Sequence, residues 1–172
     1  MSNNKYYGDR MFRRKLPKTW NNKKSIADRK MGDDNERYVS AFLKRWFPKN
    51  SFTRDITGWN PIDYTDDLGK ICIELKSRRI KKKRYKTIMI GKNKYDSAIK
   101  YMKKGYKAYF LFKFTDKMCI YEVPKKLPQD IEFYRGGTDK RGRDEYSECM
   151  YIPVKYLHNC IDYDDYYSFI EK

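Results

Sequence analysis

The chain has a single histidine in 172 residues, His158, near the C-terminus in "VKYLHNC". Mechanisms that use histidine as general base or nucleophile would all rest on that one side chain, so any hydrolysis falls to carboxylates and a metal. Long apolar runs are also missing. No stretch approaches the roughly 20 apolar residues of a membrane span, and "MSNNKYYGDRMFRRKLPKTW" lacks the apolar centre of a signal peptide. A soluble, intracellular chain that is not secreted and has no membrane partner is expected. The four cysteines include no CxxC, and Cys72 and Cys119 fall within predicted strands, so reduced thiols are expected. Cys149, His158 and Cys160 offer only three metal ligands, at no standard zinc spacing.

Positive charge is abundant. Forty Lys and Arg against 23 Asp and Glu leave a formal charge of +17, more than solubility asks of a domain this size and suited to a polyanionic partner. Nucleic acid, DNA in the first place, is the expected partner. The cations are clustered. Residues 1–30 form a basic arm in which ten Lys and Arg face only Asp9 and Asp28, with Tyr6, Tyr7, Phe12 and Trp20 interleaved. Such an arm can track phosphates and stack on bases. A second run, "KSRRIKKKRYK", holds Arg78, Arg79, Lys81, Lys82, Lys83 and Arg84, and a Gly/Arg loop contributes Arg141 and Arg143. These eight are the candidate nucleic-acid contacts.

One domain is expected over residues 31–172, with a core at about 31–123 and a C-terminal extension at 124–172. "GDDNERYVSAFLKRWFP" predicts a helix capped near Asp33 or Asp34 and stopped by Pro48, with Val39, Phe42, Leu43 and Trp46 as its core stripe. Glu36 lies one turn before Val39, which places its carboxylate beside the apolar face, near the rim of the core. A strand follows around 51–55, then a strand pair through "PIDYTDDLGKICIELK", a short β run "TIMIG", and an amphipathic helix "KNKYDSAIKYMKKG" with Tyr95, Ala98, Ile99 and Met102 inward. "KAYFLFKF" and "MCIYEV" read as strands joined by a tight turn, and "CMYIPVKYL" as strand or short helix. The order implies an α/β or α+β fold, α/β being the expectation, with a mixed central β-sheet flanked by helices.

Glu74 and Lys76 raise the chemical question, because they sit two residues apart in the most apolar predicted strand, where an unpaired charge costs several kcal/mol. A tight turn at Leu68–Gly69 would set Asp63 opposite Glu74 across a hairpin. Alternation then turns Ile71, Ile73 and Leu75 to one face and Cys72, Glu74 and Lys76 to the other. Two facing carboxylates repel unless a cation sits between them, and a hard divalent ion such as Mg²⁺ accepts one or two carboxylates, a backbone carbonyl and waters. Lys76 is one strand step away, within reach of an attacking water or a phosphate. A Glu74–Lys76 salt bridge on a half-exposed strand is the bland alternative.

"NPIDYTDD" followed by "IELK", with an inward helix Glu before and a basic run after, resembles the PD-(D/E)XK nuclease superfamily over roughly residues 31–123. The resemblance implies a restriction endonuclease-like core and a metal-dependent endonuclease hydrolysing phosphodiester bonds, with Mg²⁺ as cofactor and Mn²⁺ as a substitute. By position, Asp63 and Glu74 match the metal-binding acids, with the backbone carbonyl of Ile73 nearby. Lys76 matches the lysine that assists the nucleophile, and Glu36 the helix glutamate that binds or orients metal. The family's Pro-Asp dipeptide is here Pro61-Ile62-Asp63, so Asp66 and Asp67 stand as substitutes for Asp63. A catalytically silent nucleic-acid-binding protein on the same fold, an RNA-directed or junction-specific nuclease, and a homodimer are alternatives that the residues leave open.

Overall fold

The computed structural model describes residues 39–40, 42–55, 60–137 and 147–162. The basic arm, Glu36, Arg141 and Arg143 lie outside them. Among the described residues nine strands form two sheets. The larger contains β1 (Thr53–Arg54), β2 (Tyr64–Asp66), β3 (Ile71–Ser77), β5 (Lys107–Lys113), β6 (Lys117–Glu122) and β9 (His158–Asp162), ordered β1-β2-β3-β5-β6-β9. β3 and β5 run parallel and the other neighbours antiparallel, so the sheet is mixed. The smaller contains β4 (Thr87–Gly91), β8 (Ser147–Pro153) and β7 (Glu132–Gly136), ordered β4-β8-β7.

The apolar alternation of β3, β5 and β6 dictates how the layers stack, because both faces of these strands are buried. One face carries Ile71, Ile73, Leu111, Met118 and Ile120 and packs on Val39, Phe42 and Leu43 of the first helix, α1, helical at residues 39–40 and 42–46. The other carries Cys72, Phe110, Phe112 and Tyr121 and packs on Ala98 of α2 (Lys92–Lys103) and on Ile88, Ile90, Met150 and Ile152 of the smaller sheet. Gly105, at φ 87°, ends α2 where a side chain would be strained, and its N–H meets the Met102 carbonyl at 3.0 Å.

Three features differ from expectation. "EFYRG" forms β7, where no strand was expected, because pairing with β8 satisfies its backbone. The stretch "CMYIPVKYL", expected as strand or short helix, is both in turn: the end of β8 and then a 3₁₀ turn at Val154–Tyr156. Cys119 and Cys160 are joined by a disulfide, which corrects the expectation of four reduced thiols; β6 and β9 are neighbours, and their pairing brings the two Cα atoms to 4.1 Å. A sequence separation of 41 gives no hint of that pairing. Cys72 and Cys149 are free and buried.

Candidate active site

The β2–β3 hairpin has the register its turn predicts: Tyr64 pairs with Ile73, Thr65 with Cys72 and Asp66 with Ile71. One step beyond β2, Asp63 faces the Glu74 end of β3. Its Oδ2 accepts the Leu75 N–H at 2.7 Å, so the carboxylate takes over where the backbone ladder stops. The N–H and C=O of a strand residue face the same edge, so the Leu75 carbonyl also turns toward Asp63, while Ile73 sits within the Tyr64 pair.

Glu74 is 2% exposed, an ionisable group in the interior. Burial, reinforced by the nearby Asp63 charge, pushes its carboxyl up to about 8, while Lys94 and then Lys76 pull the other way. Lys94 is the residue that sequence reasoning missed. From α2 its Nζ reaches Glu74 Oε1 at 3.0 Å and Oε2 at 3.1 Å and the Pro61 carbonyl at 2.7 Å. A signal existed: Lys94, Ala98 and Tyr101 are spaced i, i+4, i+7, and Ala98 is buried, so this stripe of α2 faces the sheet. Tyr101 contributes to the same corner, accepting from Asn60 Nδ2 at 3.0 Å, while Asn60 Oδ1 accepts the Ile62 N–H at 3.0 Å. The loop that presents Asp63 is thus pinned to α2 at Asn60 and Pro61.

The corner offers the oxygen ligands that a hard cation takes. A buried carboxylate and a backbone carbonyl already converge on an ammonium, and Asp63 adds a second carboxylate beside them. Among the described residues no three His, Cys, Asp or Glu side chains converge as a closed metal cage, so a divalent ion here would complete its shell with waters and substrate oxygens.

Residues 21–160 match the profile of a family described as "Phage putative PDDEXK endonuclease". The chain belongs to this PDDEXK endonuclease family. That places it among nucleases, with nucleic acid as its substrate class. A search of curated proteins finds no match. Among solved structures, Hjc of Archaeoglobus fulgidus, a Holliday junction resolvase from an archaeal hyperthermophile, is similar at 16% identity and a TM-score of 0.43, over 71% of this chain and 93% of that one.

The other acids of the nuclease's hairpin have structural duties. Asp66 is buried and closes the turn, with Oδ1 accepting the N–H groups of Leu68 at 3.1 Å and Gly69 at 2.9 Å and Oδ2 accepting from Asn50 Nδ2 at 2.7 Å. These bonds hold its carboxyl below the ordinary range. Its strand partner is Ile71, three residues or about 10 Å from Glu74 along β3. Asp67 accepts from the Tyr106 hydroxyl at 2.6 Å. Of the three acids, Asp63 is the one beside Glu74.

Lys76 is half-buried on β3, opposite Phe112 of β5. Beyond it the cations separate. Arg78 is partly buried, and its guanidinium donates to the Met89 carbonyl of the smaller sheet. Arg79, Lys81, Lys83 and Arg84 are exposed around the 3₁₀ turn Lys82–Arg84, which is anchored by the Lys82 N–H on Asp116 Oδ1 at 2.9 Å. Four of the candidate cations therefore face solvent just past Lys76 along the chain.

Proposed function

We propose that this nuclease is a divalent-metal-dependent DNA endonuclease, with Asp63 and Glu74 holding Mg²⁺, or Mn²⁺ in its place. The observation that carries the reading is the meeting of Asp63 with Glu74 across the β2–β3 hairpin, beside a cation-filled corner made by Pro61 and α2. A lone Glu74–Lys94 ion pair would explain the buried charge but not the second carboxylate drawn to the end of the ladder.

A divalent ion bound there supplies electrostatic stabilisation for the negative charge that builds on the phosphate. Asp63 and Glu74 would hold the ion through anionic oxygens, with a carbonyl of Ile73 or Leu75 from the β3 edge, and Glu36 would orient it. The Lys76 ammonium, one step along β3, positions the attacking water and holds charge on the phosphate. Arg79, Lys81, Lys82, Lys83 and Arg84, with Arg78, Arg141 and Arg143, hold the phosphate backbone outside the site, which gives affinity without sequence readout.

The test is incubation with supercoiled plasmid, single-stranded and branched DNA, and RNA, in Mg²⁺, Mn²⁺ or EDTA. Metal-dependent cleavage of DNA that Glu74→Gln and Lys76→Ala abolish without loss of binding is expected. Binding with no cleavage under any metal would identify a catalytically silent binder instead.

A further inference from the structure

Two residues past Lys76 and one past the end of β3, Arg78 borders a cleft formed by the loop leading into β4 and by β4 and β8 of the smaller sheet. Ile80, Tyr85, Met89 and Tyr151 are among its walls, with Arg78 at one side, and its volume is about 290 Å³, near the low end of small-ligand pockets. The surface is almost wholly apolar, and among the described residues no acidic side chain lines it.

Its parts are held in place. The Tyr151 ring stacks on Tyr134 at 3.6 Å and 8°, and Met89 is fixed from behind by the Arg78 guanidinium on its carbonyl. Tyr85 stands at the mouth, 57% exposed, with the Arg84 guanidinium 5.6 Å from its ring centre. Lys81, Lys83 and Arg84 line a second hollow that shares Ile80 with the first. An apolar, aromatic cleft rimmed by cations is the surface that single-stranded nucleic acid uses, with phosphates on the cations and base faces on the rings. An uninterrupted duplex keeps its bases stacked inside and has nothing to place there.

We propose that this cleft receives an unpaired base of the strand whose phosphate lies at Asp63, Glu74 and Lys76, so that the substrate class is nucleic acid with unpaired or distorted bases. The proposal rests on the nuclease reading for the position of that strand. Tyr85 supplies the stacking face and Arg84 the neighbouring phosphate contact.

The experiment measures binding of the full chain in EDTA, where no cutting occurs. Its probes are a single strand, a mismatched duplex and a perfect duplex, each carrying 2-aminopurine. Wild type is expected to quench the probe in the first two. Tyr85→Ala should weaken binding to those two by about tenfold, within the range for one base–aromatic stack, and leave the perfect duplex nearly unchanged. Tyr85→Phe, which keeps the ring, should behave as wild type. Lys83→Ala with Arg84→Ala should instead weaken all three probes alike and reduce the salt dependence. Equal losses for every probe in Tyr85→Ala, or no quenching by wild type, would overturn the proposal. So would a change of sedimentation in Tyr85→Ala without a change in binding, which would mark the cleft as a contact between two copies. If quenching and Tyr85 dependence hold but no metal supports cleavage, the stacking site stands and the nuclease reading fails. Metal-dependent cleavage with no Tyr85 selectivity would do the reverse, removing the stacking site and leaving the nuclease intact.

Discussion

The Lys94 ammonium bridges the Glu74 carboxylate, at 3.0 Å from Oε1 and 3.1 Å from Oε2, and the Pro61 carbonyl, at 2.7 Å. Glu74 is thereby met by a cation from α2, and not only by Lys76 on its own strand. A cation bound by Glu74 has to share or displace this contact, which makes Lys94 sensitive to occupancy of the site.

Above about pH 8, where the Glu74 carboxyl is ionised, Lys94→Ala should therefore lower the thermal midpoint more in EDTA than in saturating Mg²⁺. Removing one partner of a buried pair costs about 3–5 kcal/mol, reduced here because the Lys94 side chain is 26% exposed. A cost on the order of 2 kcal/mol is expected without metal and a smaller one with it. Equal losses in both conditions, read by calorimetry, would show that the ion and Lys94 do not meet at Glu74.

Asp63→Asn and Glu74→Gln should each reduce cleavage on the order of 100-fold or more, in line with loss of a group that stabilises transition-state charge. DNA binding in EDTA should stay near wild type, because neither acid contacts phosphate. Mg²⁺ at about 100 times its dissociation constant should add about 2.7 kcal/mol of stability to wild type and almost none to Glu74→Gln. Retained cleavage by Glu74→Gln would remove that residue from the site.

The buried acid also predicts a pH dependence. The Glu74 carboxyl titrates at about 8 in the folded chain against an ordinary 4.5, so between these values the folded state holds a proton that the unfolded chain releases. Its contribution to stability is full below the ordinary value and is lost as pH rises through about 8. In EDTA the midpoint of wild type should fall, relative to Glu74→Gln, from about pH 5 to about pH 8. Parallel curves for the two proteins would contradict this assignment.

Asp66→Ala separates fold from chemistry. It removes the acceptor of the Leu68 and Gly69 N–H groups and of the Asn50 amide, which should destabilise the turn. Gly69→Ala should be destabilising too, because a Cβ there would run into Asn50 and Asp66. Below the lowered midpoint both variants should cut at close to the wild-type rate, measured per folded molecule. A Glu74→Gln-like loss in Asp66→Ala would mean that Asp66, not Asp63, serves the metal.

Local chemistry in the sequence was enough to specify the β2–β3 hairpin: an acidic, glycine-containing turn sets the register, and strict alternation sends Ile71 and Ile73 to one face and Glu74 to the other. It was also enough for α2, whose apolar stripe and terminal Gly105 are short-range signals. Only the tertiary structure brought Lys94 to Glu74 and Pro61, and it alone joined Cys119 to Cys160 and folded β4, β7 and β8 into a second sheet that makes the Tyr85 cleft. Each of these depends on elements far apart in the chain meeting after the layers pack, and no periodicity within one segment encodes which distant segment it will meet.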